Sequence, residues 1–179
     1  MFTSEHFIWI AICVAFVFVM ILLGKKFSFS LKTAGYIMSV ICFLSETSKI
    51  MCDMEIGSKG GRVLSPTSLP FHLCSLLLFA VLYITFGKEG KLKQTLIDFI
   101  AVMGTLGSIC AILIPTNGTD FAKILAYQCF VYHGGLLWFS LYLIVSGRAN
   151  LGRRSWGRNI IILLSLVLLN IYVNSALSV

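Results

Sequence analysis

Six apolar runs, each close to the length that crosses a bilayer, take up most of this 179-residue chain. A helix needs about 20 apolar residues to cross the roughly 30 Å hydrocarbon core. Runs of this length without strict polar alternation favour helices over the shorter strands of a membrane barrel. The predicted fold is therefore all-α, with residues 1–179 forming a single polytopic membrane helix bundle. Its six transmembrane helices are predicted at residues 7–24, 33–56, 69–87, 95–114, 121–146 and 156–177.

The composition indicates that lipid is the main solvent of this chain. Hydrophobic residues make up 58% of the sequence and charged residues only 12%, whereas a soluble domain has about 25% charged residues. A soluble fold of this size still exposes roughly a third of its unfolded surface, so it could not bury this much apolar area. These proportions exclude a soluble enzyme, a nucleic-acid-binding domain and a disordered chain.

The basic residues between the runs predict the orientation of the bundle. The first, third and fifth connections hold ten Lys or Arg residues, whereas the other connections hold three. The positive-inside rule places the ten in the cytoplasm and both termini outside, in a protein of the cell membrane. The first run follows no basic segment and precedes no cleavage site, which indicates a retained span rather than a signal peptide. The ten are Lys25, Lys26, Lys32, Lys88, Lys91, Lys93, Arg148, Arg153, Arg154 and Arg158.

Ionisable residues inside an apolar span are costly in lipid, so a functional role is the default hypothesis for them. In span two, Glu46 and Lys49 are three residues apart, which places them on one helical face where they can form an ion pair. The alternative is a self-neutralising pair that only packs against neighbouring helices. Asn170, in span six, belongs to a residue type that often joins helices by hydrogen bonds. It is included with Glu46 and Lys49 as a supporting polar residue.

Two histidine and cysteine clusters lie in spans three and five. His72 and Cys74 are two positions apart, roughly 200° around a regular helix, so a base for Cys74 is expected from another helix. Span five enters from the same side as span three, which places His133 and Cys74 in the same half of the bundle. Cys129, four residues before His133, forms a rival cysteine–histidine pair. In the structural alternative, Cys129 is a core residue and His133 bonds to a neighbouring carbonyl.

For several other residues the sequence predicts a role in helix packing or position rather than in catalysis. Gly134 and Gly135 are expected to allow a neighbouring helix to approach closely or the helix to kink. The six cysteines lie in apolar runs and include no C-x-x-C pair, so most are expected to be small core residues. Asp98 is expected at the interfacial end of span four. No cofactor and no metal ion is predicted.

Residues 69–75, with the sequence L-P-F-H-L-C-S, resemble the L-P-x-H-L-C-S signature of the YwaF-like bacterial membrane proteins and their animal relative, transmembrane protein 164. Residues 104–115 and 130–136 (F-V-Y-H-G-G-L) are similar to the span-four and span-five pattern of the same family. The resemblance covers span two through span five, and the seven-residue string is its specific part. It implies a phospholipid acyltransferase fold in which Cys74 is the acyl-accepting nucleophile and His133 is the span-five histidine.

The function predicted from these features is an integral-membrane acyltransferase that moves a fatty acyl chain between phospholipids and lysophospholipids through a cysteine thioester. Cys74, deprotonated by His133, would attack an acyl ester, and a lysolipid hydroxyl would then take the acyl group. His72 would orient groups or donate to the developing oxyanion, and Glu46 with Lys49 would hold His133 or a head group. Membrane lipids are the expected partners, as substrate, and no nucleic acid is expected.

Three alternatives stay open at the level of the sequence. A transporter or channel-like bundle would use the ionisable residues as a polar path, although no inverted repeat is visible. A structural or regulatory membrane protein would use them only to join helices. A membrane lipid hydrolase would pass the acyl group to water instead of a lysolipid. The sequence makes no prediction of the oligomeric state.

Overall fold

Helices form most of the chain that the structure describes, which is residues 2–52, 54–56, 62–64 and 73–176 of a computed structural model. Six helical rods lie in this part, and two short strands pair antiparallel between the second and third of them. The strands are β1 (Met54–Ile56) and β2 (Arg62–Leu64). The helices are α1 (Ser4–Lys26), α2 (Leu31–Cys52), α3 (Leu73–Phe86), α4 (Lys91–Leu113), α5 (Ile124–Val145) and α6 (Arg153–Ala176).

Four of these helices, α1, α4, α5 and α6, are long and apolar enough to cross a membrane. Helix α2 has 22 residues, which gives it a length of about 33 Å at 1.5 Å per residue. Helix α3 is a shorter apolar helix of 14 residues in the described part of the chain. The predicted class, a helical membrane bundle, is confirmed.

The ends of the described helices differ from the predicted spans by a few residues, most at the end of α2 and the start of α4. Span two was predicted to reach residue 56, but α2 ends at Cys52 and residues 54–56 pair with β2 instead. The β1 sequence Met54-Glu55-Ile56 alternates apolar and polar residues, a pattern typical of a strand. Lys91 and Lys93, assigned to the third connection, lie in the first turn of α4.

Side-chain bonds bring the first, third and fifth connections together at one end of the bundle. The Tyr142 hydroxyl of α5 donates a hydrogen bond of 2.6 Å to the carbonyl of Phe29, which follows α1. Gln94, in the first turns of α4, donates through Nε2 to the carbonyl of Arg148, a distance of 2.9 Å. The helices therefore alternate in direction, and the basic connections share an end. Which side of the membrane this end faces stays a prediction.

The N-terminus meets the α4–α5 connection at the opposite end. His6 is fully buried, and its Nε2 donates a hydrogen bond of 2.8 Å to the carbonyl of Ile112 at the end of α4. Trp9 donates through Nε1 to the carbonyl of Thr119 in the connection, at 3.1 Å. Its ring also stacks on Phe130 of α5, with ring centroids 4.8 Å apart. These contacts fix α1 against the half of the bundle that contains the candidate site.

Helix α5 is the central helix, since 13 of its 22 residues are buried. A Cβ added to Gly134 would lie 3.3 Å from the sulfur of Cys13 in α1, and one added to Gly135 would lie 3.0 Å from Ile41 Cγ2 in α2. Small residues let helix backbones approach closely, which matters in lipid because the hydrophobic effect contributes little to helix association there. The predicted close approach at this glycine pair is confirmed.

A π turn at Ile100–Gly104 interrupts α4 where it packs on the central helix. The Thr105 hydroxyl donates a hydrogen bond of 2.7 Å to the carbonyl of Ala101, four residues earlier. Such back-bonding competes with the regular backbone ladder and accompanies local widening or bending of helices. Gly104 at the end of this turn lies against the side chain of Ser140 in α5.

A buried carboxylate ties α4 to the chain that follows the central helix. Asp98 is 1% exposed, and its Oδ1 accepts hydrogen bonds of 2.8 Å from Gln94 Nε2 and from the backbone N–H of Asn150. Its Oδ2 accepts from the Ser155 hydroxyl at 2.6 Å and from the Arg158 guanidinium at 2.5 Å. These donors cover both carboxylate oxygens, so Asp98 is buried within the protein near the start of α4. Its location at the interfacial end of span four stays a prediction.

Helices α2 and α3 come into close contact at a glycine of α2, Gly35. Gly35 lies against the side chain of Thr85, which is 2% exposed and donates a hydrogen bond of 2.8 Å to the Val81 carbonyl. The Thr85 hydroxyl also lies 3.4 Å from that of Ser39. Because Thr85 is held by this hydrogen bond and by its burial, it has little freedom to move away from a larger residue at position 35.

We expect Gly35→Ala to lower the free energy of unfolding by about 1–3 kcal/mol, the usual cost of overpacking a tight contact. Gly107→Ala is the matched control, because Gly107 also lies in a helix and has no atom within 4 Å of an added Cβ. The control should be neutral or stabilising by up to about 1 kcal/mol, since alanine favours helices over glycine. Unfolding in mixed micelles, followed by circular dichroism, measures both variants. Equal effects at the two positions would contradict the close α2–α3 contact.

Candidate functional site

A cleft of about 480 Å³ lies between α2, α3, the α4–α5 connection and α5. It occupies the half of the bundle opposite the basic connections, beside the contacts that the N-terminus makes. Polar side chains from three helices line it, among them Ser45, Glu46, Lys49, Ser75, Gln128 and His133.

Helical spacing explains why polar residues from one helix reach the same cleft. Ser45 and Lys49 of α2 are four residues apart, so they lie one turn apart on a single face. In α5, Gln128 and Tyr132 show the same spacing, and His133 follows directly. In both α2 and α5, therefore, the polar side chains that line the cleft lie on one face of the helix. The exposed apolar residues Phe43 and Leu44 of α2 and Val131 of α5 lie on other faces of the same helices.

Glu46 connects α2 with α3 through its two carboxylate oxygens. Its Oε1 lies 3.9 Å from Lys49 Nζ, and its Oε2 accepts a hydrogen bond of 3.4 Å from the Ser75 hydroxyl. The ion pair that the three-residue spacing predicted is confirmed, at a long distance. Oε1 is buried and has no hydrogen-bond partner among the described residues. The pair therefore supplies both a carboxylate and an ammonium group to the wall of the cleft.

The hydrogen bond that His133 makes defines which ring nitrogen can act as a base. His133 is 9% exposed, and its Nδ1 lies 2.7 Å from the carbonyl oxygen of Cys129. A carbonyl oxygen only accepts, so we assign the proton to Nδ1, which donates it to this bond. The neutral ring then carries its lone pair on Nε2. That atom is buried and has no hydrogen-bond partner among the described residues.

The same geometry disfavours the rival pair of Cys129 and His133. The Cys129 sulfur lies 3.5 Å from His133 Nδ1. Because Nδ1 already carries the proton that it donates to the Cys129 carbonyl, it has no lone pair with which to deprotonate the thiol. Its bond to a neighbouring carbonyl is the one that the structural alternative predicted. The only basic atom of the neutral His133 ring is Nε2.

The other predicted site residues differ in how much of them the structure describes and in whether they line the cleft. Cys74 lies in α3 directly before Ser75, whose side chain lines the cleft. The side chain of Cys74 and the whole of His72 lie outside the described residues. Asn170 is partly buried on α6 and is not one of the described residues that line the cleft. The cleft thus brings together the ion pair of α2 and the histidine of α5, with the Cys74 backbone one residue from its wall.

Gln128 and Ser45 line the cleft but were not predicted as site residues. Gln128 donates through Nε2 to the Ser45 hydroxyl at 2.7 Å, and its Oε1 accepts from Asn117 Nδ2 at 3.5 Å. The sequence does contain a feature that could have identified Gln128, which is an amide side chain inside an apolar run and immediately precedes Cys129. Polar residues within spans are candidates for function whether or not they carry a charge.

Comparison with protein families shows which family this chain belongs to. The family model described as TMEM164 family matches residues 1–179, the full length of the sequence. The chain belongs to the TMEM164 family. No curated protein and no solved structure was found to match it. The family membership predicted from residues 69–75 is thereby confirmed. Together with four helices that are long and apolar enough to cross a bilayer, it makes this TMEM164-family member an integral membrane protein.

Proposed function

We propose that this TMEM164-family protein is a membrane acyltransferase that moves a fatty acyl chain between phospholipids and lysophospholipids through a thioester on Cys74. The observation that carries the proposal is the buried Nε2 of His133, which holds the lone pair of the ring in a polar cleft beside α3. A buried base beside a helix whose sequence contains a cysteine supports nucleophilic acyl transfer, which pairs a nucleophile with a base. The family membership supports the same reaction.

The proposed setting is the cell membrane, with all six helices crossing it. Helix α2 has the length for this despite its polar residues, and α3 follows the same alternation of directions. The end that holds the ten basic residues faces the cytoplasm, and both termini lie outside. The cleft then opens in the outer half of the membrane, where a lipid can reach it sideways from the bilayer.

In the first step of the proposed reaction, His133 Nε2 takes the proton of the Cys74 thiol. The thiolate attacks the carbonyl carbon of a phospholipid ester, and the carbon–oxygen bond to the glycerol breaks as the carbon–sulfur bond forms. The proton on Nε2 passes to the departing oxygen, which leaves as a lysolipid hydroxyl. His72 is proposed to donate a hydrogen bond to the oxygen that becomes negative in this step.

In the second step, another lysolipid brings its hydroxyl to His133. Nε2 removes the hydroxyl proton as the oxygen attacks the thioester carbon, and the Cys74 thiolate leaves and regains a proton from Nε2. The Lys49 ammonium is proposed to contact the phosphate of the bound lipid. Its 3.9 Å separation from Glu46 leaves it free to make this additional contact.

Trapping the acyl-enzyme tests the proposal. Full-length protein in nanodiscs is given a phospholipid with a labelled acyl chain, denatured, and examined for label that neutral hydroxylamine releases. We expect such label on the wild type and on Cys129→Ala, which serves as the matched cysteine control, and none on Cys74→Ala. A thioester located on Cys129 would overturn the assignment. Free fatty acid formed without transfer to a lysolipid would replace the transferase with the hydrolase.

A further inference from the structure

A second, apolar groove of about 150 Å³ lies between α2 and α5, on the outer surface of the helices beside the polar cleft. We refer to it as the α2–α5 groove. Its rim consists of apolar side chains that are 45–64% exposed, namely Leu44, Ile124, Tyr127 and Val131. In an integral membrane protein, such exposed side chains between two helices face hydrocarbon rather than water.

The α2–α5 groove and the polar cleft share two lining residues, Ser45 and Gln128. These two residues are bonded to each other, because Gln128 Nε2 donates to the Ser45 hydroxyl at 2.7 Å. One hydrogen bond between α2 and α5 therefore separates a polar compartment that contains His133 from an apolar compartment open to lipid.

We infer that the α2–α5 groove holds the acyl chain of the lipid whose ester reacts in the cleft, with the ester lying between Ser45 and Gln128. This inference rests on the proposed function, because it places the acyl chain of that substrate. The two compartments match the two parts of one lipid molecule. Its charged head fits the cleft that contains Lys49, and its chain fits the groove. When the ester enters, the hydrogen bond between Gln128 and Ser45 breaks. The ester carbonyl can then accept a hydrogen bond from the Gln128 N–H in place of the Ser45 oxygen, so Gln128 keeps an acceptor.

The groove contributes orientation more than affinity. An acyl chain that leaves the bilayer for the groove exchanges one apolar environment for another, so it gains little hydrophobic free energy. From Ile124 to Val131 the groove follows α5 for about 10 Å at 1.5 Å per residue. A chain held along that length, with its head group in the cleft, has its ester at the boundary between the two, which aligns the carbonyl for attack.

Photo-crosslinking in nanodiscs tests the inference. The full-length protein, in a His133→Ala background that stops turnover, is labelled with a phospholipid carrying a diazirine on its acyl chain. We expect several-fold more adducts at Leu44, Ile124 and Val131 than at the exposed apolar residues of α6. Leu44→Trp, which fills the groove, should remove most of this excess. Leu168→Trp is the matched control, because Leu168 is a similarly exposed leucine on α6.

Uniform labelling of all exposed apolar residues, or an excess that Leu44→Trp leaves unchanged, would overturn the groove assignment. Size-exclusion chromatography of both tryptophan variants checks that they fold. The groove and the proposed function fail separately. If the His133→Ala protein is labelled at the groove but the wild type transfers no acyl chain, the groove remains an acyl-chain site and the acyltransferase proposal ends. If the wild type transfers acyl chains but labelling is uniform, the acyltransferase proposal remains and the groove assignment ends.

Discussion

Cys74→Ala is expected to abolish acyl transfer in reconstituted bilayers, and His133→Ala is expected to lower it nearly as far. Removing a general base costs roughly 10²–10⁴-fold in rate. The double variant should lose little more than either single variant, because residues that act as one catalytic unit are strongly non-additive. Transfer of a labelled acyl chain to a lysophospholipid measures all three variants, with folding checked separately by circular dichroism.

Three further substitutions separate the proposed roles of Cys74, Cys129 and His72. Cys74→Ser should be nearly as damaging as Cys74→Ala, because it supplies a hydroxyl that is much harder to deprotonate than a thiol. Cys129→Ala should retain most activity, since His133 Nδ1 already donates to the Cys129 carbonyl and that carbonyl is unchanged in the variant. His72→Ala should fall between these extremes. An active Cys74→Ala protein together with an inactive Cys129→Ala protein would assign the nucleophile to α5.

Asp98→Ala should be among the most destabilising single substitutions in the described part of the chain. The buried carboxylate accepts from four donors, so its removal leaves the Ser155 hydroxyl and the Arg158 guanidinium without their acceptor. Breaking a buried charge network costs about 3–5 kcal/mol. Because the Arg158 side chain is 40% exposed and can turn to water, we expect about 3 kcal/mol. Unfolding titrations in mixed micelles measure the change.

Asp98→Asn is the control for shape. It keeps one carbonyl acceptor and loses the charge, so its effect should be clearly smaller than that of Asp98→Ala. Both variants should keep their acyl transfer rate per folded molecule, because Asp98 lies at the end of the bundle opposite the cleft. An Asp98→Ala protein with an unchanged unfolding midpoint would show that the four hydrogen bonds are not stabilising.

Local regularities of the sequence determined the class of the protein and part of its candidate site. Run length and apolar composition are enough to predict a helical membrane bundle, since an apolar segment has few alternatives to a helix in lipid. The spacing of Glu46 and Lys49 predicted their ion pair, and adjacent Gly134 and Gly135 predicted close helix contacts. The string at residues 69–75 predicted the family. Each of these properties depends on residues that lie close together in the sequence.

The composition of the cleft was decided by the tertiary structure, because its contacts join residues that are far apart in the sequence. Gln128 is 83 positions from Ser45, so nothing in either apolar run indicated that the two would meet. Asp98 was expected at the interfacial end of span four, and nothing in the neighbouring sequence indicated that it would be buried. Its donors Asn150, Ser155 and Arg158 lie 52 to 60 positions later and bury it. Periodicity predicts which face of a helix is polar, but the packing of whole helices determines which polar faces come together.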